Sequence, residues 1–396
     1  MVTIPRNVAI PAVVFLAGAG CLASGALPWP DFLALAGRTV PILLFVTAMT
    51  LVTELADAAG VFRALTGWIA LRGLNSGGRG RVLVLWLFVV LLSTLSTVFL
   101  SLDSTAVLVT PVVVLLAIHA KIPPLPFALT TIWLANTGSL LLPVSNLTNL
   151  LAQHQLDTSP VRFAALVWAP SVVGVLLPVL ILWLIFRRDL RGRYGPLARA
   201  TDADRPLLVT AGAIVLLLLP ALVSGVPVFI PSGIAALFLL ALFFVRRHAA
   251  VRWSMVPWRP LLLTIGLFMV VQTLHTHGLA ALLAQVSGHG DGFTSLLRLS
   301  GIGALAANGV NNLPAYLALE PVAGSPVRLA ALLIGVNMGP LVSPWASLAT
   351  LLWHERLKSL GLSISWGGFA LAGLAAVVVV VPLAVLSLWL SAGLPA

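Results

Sequence analysis

The chain has 396 residues, of which 60% are hydrophobic and 8% charged, with a formal net charge of +11. A water-soluble domain carries about 25% charged residues, so this composition excludes a cytosolic enzyme, a disordered chain and a disulfide scaffold. One cysteine, Cys21, builds neither a disulfide nor a thiolate metal site, and the seven histidines are scattered; what remains is an all-α polytopic membrane protein with no metal site and no cofactor.

A helix needs about 20 apolar residues to cross a bilayer. Such runs cover 8–27, 39–56, 161–186, 207–223, 228–245, 260–275 and 366–391. The first is read as a retained span, because only Arg6 precedes it and no processed soluble domain follows. Residues 82–119 and 293–320 are apolar but interrupted by polar tips, Ser101 to Thr105 and Asn308 to Pro314. Such tips predict re-entrant hairpins, since non-helical backbone is tolerated at membrane depth only inside protein or beside a cavity. The runs that follow, 125–153 and 328–353, are broken at Pro143-Val144-Ser145-Asn146 and Pro344-Trp345-Ala346-Ser347. With a cytoplasmic N-terminus, loops 57–81, 119–124, 187–206, 246–259 and 354–364 are cytoplasmic. Together with Arg6 they hold 18 of the 22 Lys and Arg. That bias is the positive-inside pattern, so the basic charge sets topology and implies no nucleic-acid partner. Arg38, Arg162, Arg298 and Arg328 fall outside or within the membrane. The layout is nine spans plus two hairpins.

Residues 136–151 and 337–352 align without gaps with seven identities in 16 positions, at an offset of 201. Gly60 corresponds to Gly278, and Asp103 to Asn312. Loop 57–81 is cytoplasmic and its partner 276–292 is external, so the two halves are inverted repeats. The first occupies 1–206, a linking helix 207–227 and the second repeat 228–396. Inverted repeats with discontinuous helices in matching positions mark secondary transporters, which bind substrate near the midplane.

Ionisable residues inside a membrane are expensive and mostly functional. Asp103, at the first hairpin tip, is the acidic residue expected there, with Ser101, Ser104 and Thr105 placed to hydrogen-bond it. A carboxyl at that depth can hold and release a proton, or ligate a cation. Asp-Ser-Thr is also a helix N-cap sequence, and a cap and a site can be one structure. Asn136, Ser139, Ser145, Asn146, Thr148 and Asn149 lie on the first broken helix. Asn337, Ser343, Ser347 and Thr350 lie on the second, and Asn308, Asn311 and Asn312 on the second hairpin. One such residue is ordinary interhelical glue; this many at four matching breaks predict a polar cavity. Glu54 is read as an interfacial residue with Arg63 as partner, His275 and His277 as part of a solvated loop, and Cys21 as a small core residue. No buried Arg or Lys is expected to face the cavity. A Gly-rich phosphate loop ending in Lys-Ser or Lys-Thr is absent, so energy must come from an ion gradient or from an ATPase on a separate chain.

The stretch from Gly335 to Trp353 resembles the arsenite efflux permeases of the ion transporter superfamily, with its Gly339-Pro340, its later Pro344 and Ser347-Leu348-Ala349-Thr350-Leu351-Leu352-Trp353. Asn136-Thr137-Gly138-Ser139, Ser145 to Asn149, Asn311-Asn312-Leu313-Pro314, Thr53-Glu54 and Gly60-Val61-Phe62 are similar to further stretches of that family. Leu102-Asp103 departs from the family's usual Asn-Asp. Neither hairpin tip carries the Ser-Asn-Thr of sodium-coupled dicarboxylate symporters. The resemblance implies efflux of arsenite or antimonite in exchange for protons, with Asp103 as proton carrier. A composition rich in Ala, Leu, Val, Arg and Pro with few Lys points to a high-GC bacterium, and so to the lipid bilayer of its inner membrane; relatives are often homodimers. A sodium–proton antiporter or organic-anion carrier of the same superfamily is the alternative, and a channel on the same scaffold a third reading.

Overall fold

The computed structural model describes residues 6–72, 80–195 and 204–393. Of the basic residues that argue for the topology, Arg79 and Arg199 lie outside the described residues. The first half runs through α1 (Arg6–Ala23), α2 (Trp29–Ala58) and α3 (Val61–Arg72). It continues with α4 (Val82–Leu100), α5 (Leu102–His119), α6 (Leu125–Thr137), α7 (Leu147–Gln155) and α8 (Pro160–Phe186). After α9 (Arg205–Val223) come α10 (Phe229–Arg247), α11 (Trp258–Thr276), α12 (Leu279–Ser287) and α13 (Phe293–Val310). The chain closes with α14 (Asn312–Leu319), α15 (Pro326–Met338), α16 (Leu348–Ser359) and α17 (Trp366–Ser391). One short antiparallel pair, Gly80–Arg81 with Arg193–Tyr194, ties the entry of α4 to the segment after α8.

Among the described residues, eight helices are long and apolar enough to cross a membrane. Their outer faces carry unpaired apolar side chains, such as Leu217 on α9 at 73% exposure and Val245 on α10 at 86%. This is what lipid as solvent permits, because burying Leu against Leu gains little when lipid tails are equally apolar.

Three expectations need correction. Helix α2 begins at Trp29 rather than near 39, because Pro28 and Pro30 suit a helix start, where no N–H partner is needed. Helix α1 ends at Ala23, followed by a turn with Gly25 at φ 76°. The stretches read as loops 57–81 and 276–292 contain the helices α3 and α12.

The two halves use the same parts in the same packing. The first arm of each hairpin lies on the half-helix that follows it, α4 on α6 and α13 on α15. The first helix of each half crosses to the other: α1 packs on α11, and α10 on α2. The late half-helices cross as well, α16 against α5 and α7 against α14. Both early half-helices, α6 and α15, are 13 residues long, and their ends Thr137 and Met338 repeat the offset of the sequence match. Gly174 of α8 sits where those two ends converge: a Cβ there would lie 2.5 Å from the Met338 terminal methyl and 2.6 Å from the Thr137 carbonyl oxygen.

Candidate functional site

The two helix breaks bring backbone ends and amides together at the middle of the bundle. Between α6 and α7 the chain makes two short 3₁₀ turns, Gly138–Leu140 and Pro143–Ser145. Asn146 then caps α7, its side chain accepting from the Thr148 N–H at 3.3 Å. Pro143 promotes the break, since it cannot donate to a helix ladder. The matching residue before α16 is Ser347, whose side chain makes no cap bond.

Asn337, in the last turn of α15, is the hub of the site. Its Oδ1 accepts from Asn146 Nδ2 at 3.0 Å and from the Thr148 hydroxyl at 2.9 Å. Its Nδ2 donates to Asn149 Oδ1 at 2.7 Å. Asn149 Nδ2 in turn donates to the carbonyls of Ser139, Leu140 and Leu142, which the broken helix leaves without helical partners. All four side chains are buried. A second-half residue is thus bonded to three first-half residues, through neutral groups alone.

Asn136 stands one repeat before Asn337. Its Nδ2 donates to the Ile132 carbonyl, but its Oδ1 is buried with no partner among the described residues. The same holds for the hydroxyls of Ser347 and Thr350 on the second broken helix. Trp353 Nε1 donates to the Ala128 carbonyl at 2.9 Å, which fixes α16 along α6. Buried polar groups are nearly always paired; among the described residues eight side-chain atoms are not, and those of Asn136, Thr350 and Ser347 belong to α6, α16 and the cap of α16.

The hairpins close around the breaks. Ser145 Oγ donates to the Val98 carbonyl at 2.9 Å, tying the first break to α4. Asn308 binds the second: Nδ2 donates to the Gly339 carbonyl, and Oδ1 accepts from the Ser343 N–H at 2.9 Å. Asn311 Nδ2 donates to the Trp345 carbonyl, and the Asn312 N–H to that of Ala346. Asn308 and Asn311 therefore use their amides to hold the hairpin in place.

Asp103 is half-buried in the first turn of α5, which packs on α16, and it makes no hydrogen bond or ion pair with the described residues. The expected bonds from Ser101, Ser104 and Thr105 are not formed. Ser104 Oγ donates to the Leu100 carbonyl, the Ser101 and Ser104 hydroxyls pair at 3.1 Å, and Thr105 Oγ1 donates to Ser96 Oγ at 3.0 Å. Hydroxyls early in a helix point back over the preceding turn, which removes them from Asp103. A π-turn, Thr105–Val109, follows; single π-turns collect at functional positions.

Over residues 1–328 the chain matches the CitMHS family, described as citrate transporters. It is 31% identical over 376 residues to the arsenical pump membrane protein of Escherichia coli (strain K12), covering 87% of this chain and 85% of that one. The chain belongs to the arsenical pump membrane protein family. The arsenical pump membrane protein of Yersinia enterocolitica is 31% identical over 376 residues, with the same coverage. In fold, the chain is similar to the YdaH transporter of Alcanivorax borkumensis, with a TM-score of 0.59 at 16% identity, covering 97% of this chain and 98% of that one. As an arsenical pump family member it is a multi-pass membrane transporter, not an enzyme.

Four features of this family member escape a reading of its sequence. Glu320, at the end of α14, is buried and forms an ion pair with Arg38 of α2, so Asp103 is not the one acidic residue at membrane depth. The Tyr316 hydroxyl donates to the same carboxylate at 2.7 Å, and Arg38 Nη2 also donates to the Leu151 carbonyl of α7 at 3.3 Å. Arg38 therefore does reach the broken-helix layer, against expectation. Arg328 is buried too, but its guanidinium caps the carbonyls of Ala323, Gly290, Ser287 and Gly288 and stays in the turn before α13 and α15. His275 is not in a solvated loop: it closes α11 with Nε2 3.0 Å from the Leu317 carbonyl. Arg38, a charge inside an apolar run, was the visible signal; Glu320 follows a helix end and looks like a loop residue.

Proposed function

We propose that the protein exports arsenite or antimonite from a bacterial cell across the inner membrane in exchange for protons. The observation that carries this reading is the uncharged amide and hydroxyl cluster around Asn337, in a chain related over most of its length to arsenical pump membrane proteins. Arsenite at neutral pH is an uncharged triol. Its hydroxyls match Asn, Ser and Thr groups, which both donate and accept. Asn136, Ser347 and Thr350 offer unpartnered oxygens for it, beside Asn337, Asn146, Thr148 and Asn149. Asp103, a carboxyl without a partner, carries the proton. The two halves act as inverted repeats, residues 1–206 and 228–396, joined by α9. The Lys and Arg bias of the loops supports a cytoplasmic N-terminus.

The family match described as citrate transporters favours an organic-anion carrier as second reading. Against it, Arg38, the guanidinium that reaches the Leu151 carbonyl of the first broken helix, is paired with Glu320, so an anion with several charges would lack a free cationic partner there. The deciding experiment is uptake of arsenite by everted membrane vesicles under an imposed proton gradient, for the wild type and Asp103→Asn. Proton-driven uptake that the variant loses, without a sodium requirement, is the expected result. Citrate uptake with no arsenite uptake would install the second reading, and a strict sodium requirement would replace the coupling ion.

A further inference from the structure

Arginines collect at the corner where α4 begins and α8 ends. Arg81 directly precedes α4, and Arg187, Arg188, Arg191 and Arg193 follow the last residue of α8, Phe186. Both helices are long and apolar enough to cross the membrane, so these charges stand where the hydrocarbon ends and the headgroups begin. The strand pair draws the two helix ends together. Gly80 pairs with Tyr194 and Arg81 with Arg193, and the Val82 N–H donates to the Gly192 carbonyl at 3.0 Å. The approach needs a glycine, because a Cβ at Gly80 would lie 2.3 Å from the Tyr194 ring. The pleat turns Gly80 and Tyr194 inward and leaves Arg81 and Arg193 exposed on the other face.

Two arginines directly opposite each other on one face of an antiparallel pair repel. Among the described residues nothing offsets that repulsion. None of the arginines at this corner forms an ion pair there, and Asp189, the acidic residue of the connecting turn, is exposed and forms none either. Beside the pair lies a cavity of about 240 Å³, edged by Arg81, Arg187 and Arg191 and walled by Leu83, Trp183 and Leu190. Leu184 and Ile185, just before the arginines on α8, are each 50% exposed, as side chains that meet lipid are. Guanidinium groups match phosphate oxygens in charge and geometry. A free ion would have no use for the Trp183 and Leu83 side of the cavity, whereas an amphipathic ligand at the membrane edge would use both sides.

We propose that this corner is a binding site for an anionic phospholipid. Arg81, Arg187 and Arg191 hold its phosphate, Arg193 adds to the field, and Trp183 and Leu83 pack along its glycerol and the first carbons of its chains. The bound headgroup supplies the negative charge that the Arg81–Arg193 pairing lacks, and so fastens the first arm of the first hairpin to α8. The inference rests on the membrane-spanning fold and not on the transported substrate.

The test uses the full chain, purified and stripped of lipid in neutral detergent. Phosphatidylglycerol or phosphatidylcholine is added back, and native mass spectrometry counts the lipid retained. Wild type is compared with Arg187→Gln/Arg191→Gln and with a control of equal charge change, Arg162→Gln/Arg298→Gln, at exposed arginines on other elements. The wild type and the control are expected to retain phosphatidylglycerol over phosphatidylcholine. Retention by the Arg187/Arg191 variant should fall about thirtyfold, the loss of two basic contacts at a membrane surface. Phosphatidylglycerol should also raise the unfolding temperature of the wild type, since a ligand of the folded state stabilises it. Equal retention by all three proteins overturns the proposal. So does displacement of the lipid by excess inorganic phosphate, which would assign the cavity to a free anion. Should the double variant not fold, Arg191→Glu places a carboxylate at the cavity from an exposed turn. It is expected to abolish the preference for phosphatidylglycerol, and a preference that survives overturns the site.

Discussion

Ser101 and Asn311 hold the same backbone conformation, φ 116° and ψ 160° for the one, φ 111° and ψ 153° for the other. Each is the corner of its hairpin, and each caps the helix that follows: Ser101 Oγ accepts from the Ser104 N–H, and Asn311 Oδ1 from the Leu313 N–H, both at 3.3 Å. This region is almost confined to glycine and costs a side-chain residue about 1–3 kcal/mol. Two non-glycine residues kept there, at matching corners, show that the tips are held by their surroundings.

Strain and cap can be separated by substitution. Ser101→Ala keeps the strain and loses the cap, and should destabilise by about 1 kcal/mol. Ser101→Gly loses the cap but relieves the strain, and should be at least as stable as the wild type. Thermal unfolding in detergent decides; a less stable glycine variant would mean that the corner is not strained.

Asn337 and Asn136 occupy matching positions but differ in what their removal exposes. Asn337→Ala leaves the Thr148 hydroxyl and Asn149 Oδ1 without their partner, while Asn146 Nδ2 keeps Ser139 Oγ at 3.4 Å. Each buried orphan costs about 1–3 kcal/mol, so a clear fall in unfolding temperature is expected along with loss of transport. Asn136→Ala removes an oxygen that has no partner and a donor to a carbonyl of its own helix. It should unfold near the wild-type temperature yet transport poorly. Equal destabilisation by the two would argue that Asn136 is structural.

The helix breaks were legible because they depend on local sequence: prolines and polar clusters interrupt apolar runs wherever they stand. Helices α3 and α12 were not, because their short runs carry turn residues, Gly60 and Gly278, at their starts. Hairpin register was legible only to within one residue. Matching Asp103 with Asn312 fits residue type, but the backbone pairs Ser101 with Asn311 and so sets Asp103 opposite Leu313. The bonds of Ser104 and Thr105 depend on side-chain direction within a turn, and the Arg38–Glu320 pair on packing between halves. Neither is encoded in spacing.

Asp103 makes no bond that its removal would break. Asp103→Asn should therefore fold and unfold like the wild type, or be slightly more stable, since a half-buried unpaired charge is a liability. Its gradient-driven transport should fall at least tenfold, while Asp103→Glu retains part of the rate. A variant that is markedly less stable would assign Asp103 to the architecture of the hairpin instead of to coupling.

Gly174 allows α8 to lie against the ends of both early half-helices, and the two neighbours of its absent Cβ are not alike. The Met338 methyl is the far end of a flexible side chain and can turn aside. The Thr137 carbonyl is backbone, fixed by the break that follows it. Gly174→Ala should therefore push α8 from the end of α6 and destabilise by about 1–3 kcal/mol, the range for overpacking. Met338→Ala removes the soft contact and leaves the hard one, so the double variant should recover little of the lost unfolding temperature. Full recovery would place the constraint on the Met338 side chain and release the end of α6 from any role in setting the helix spacing.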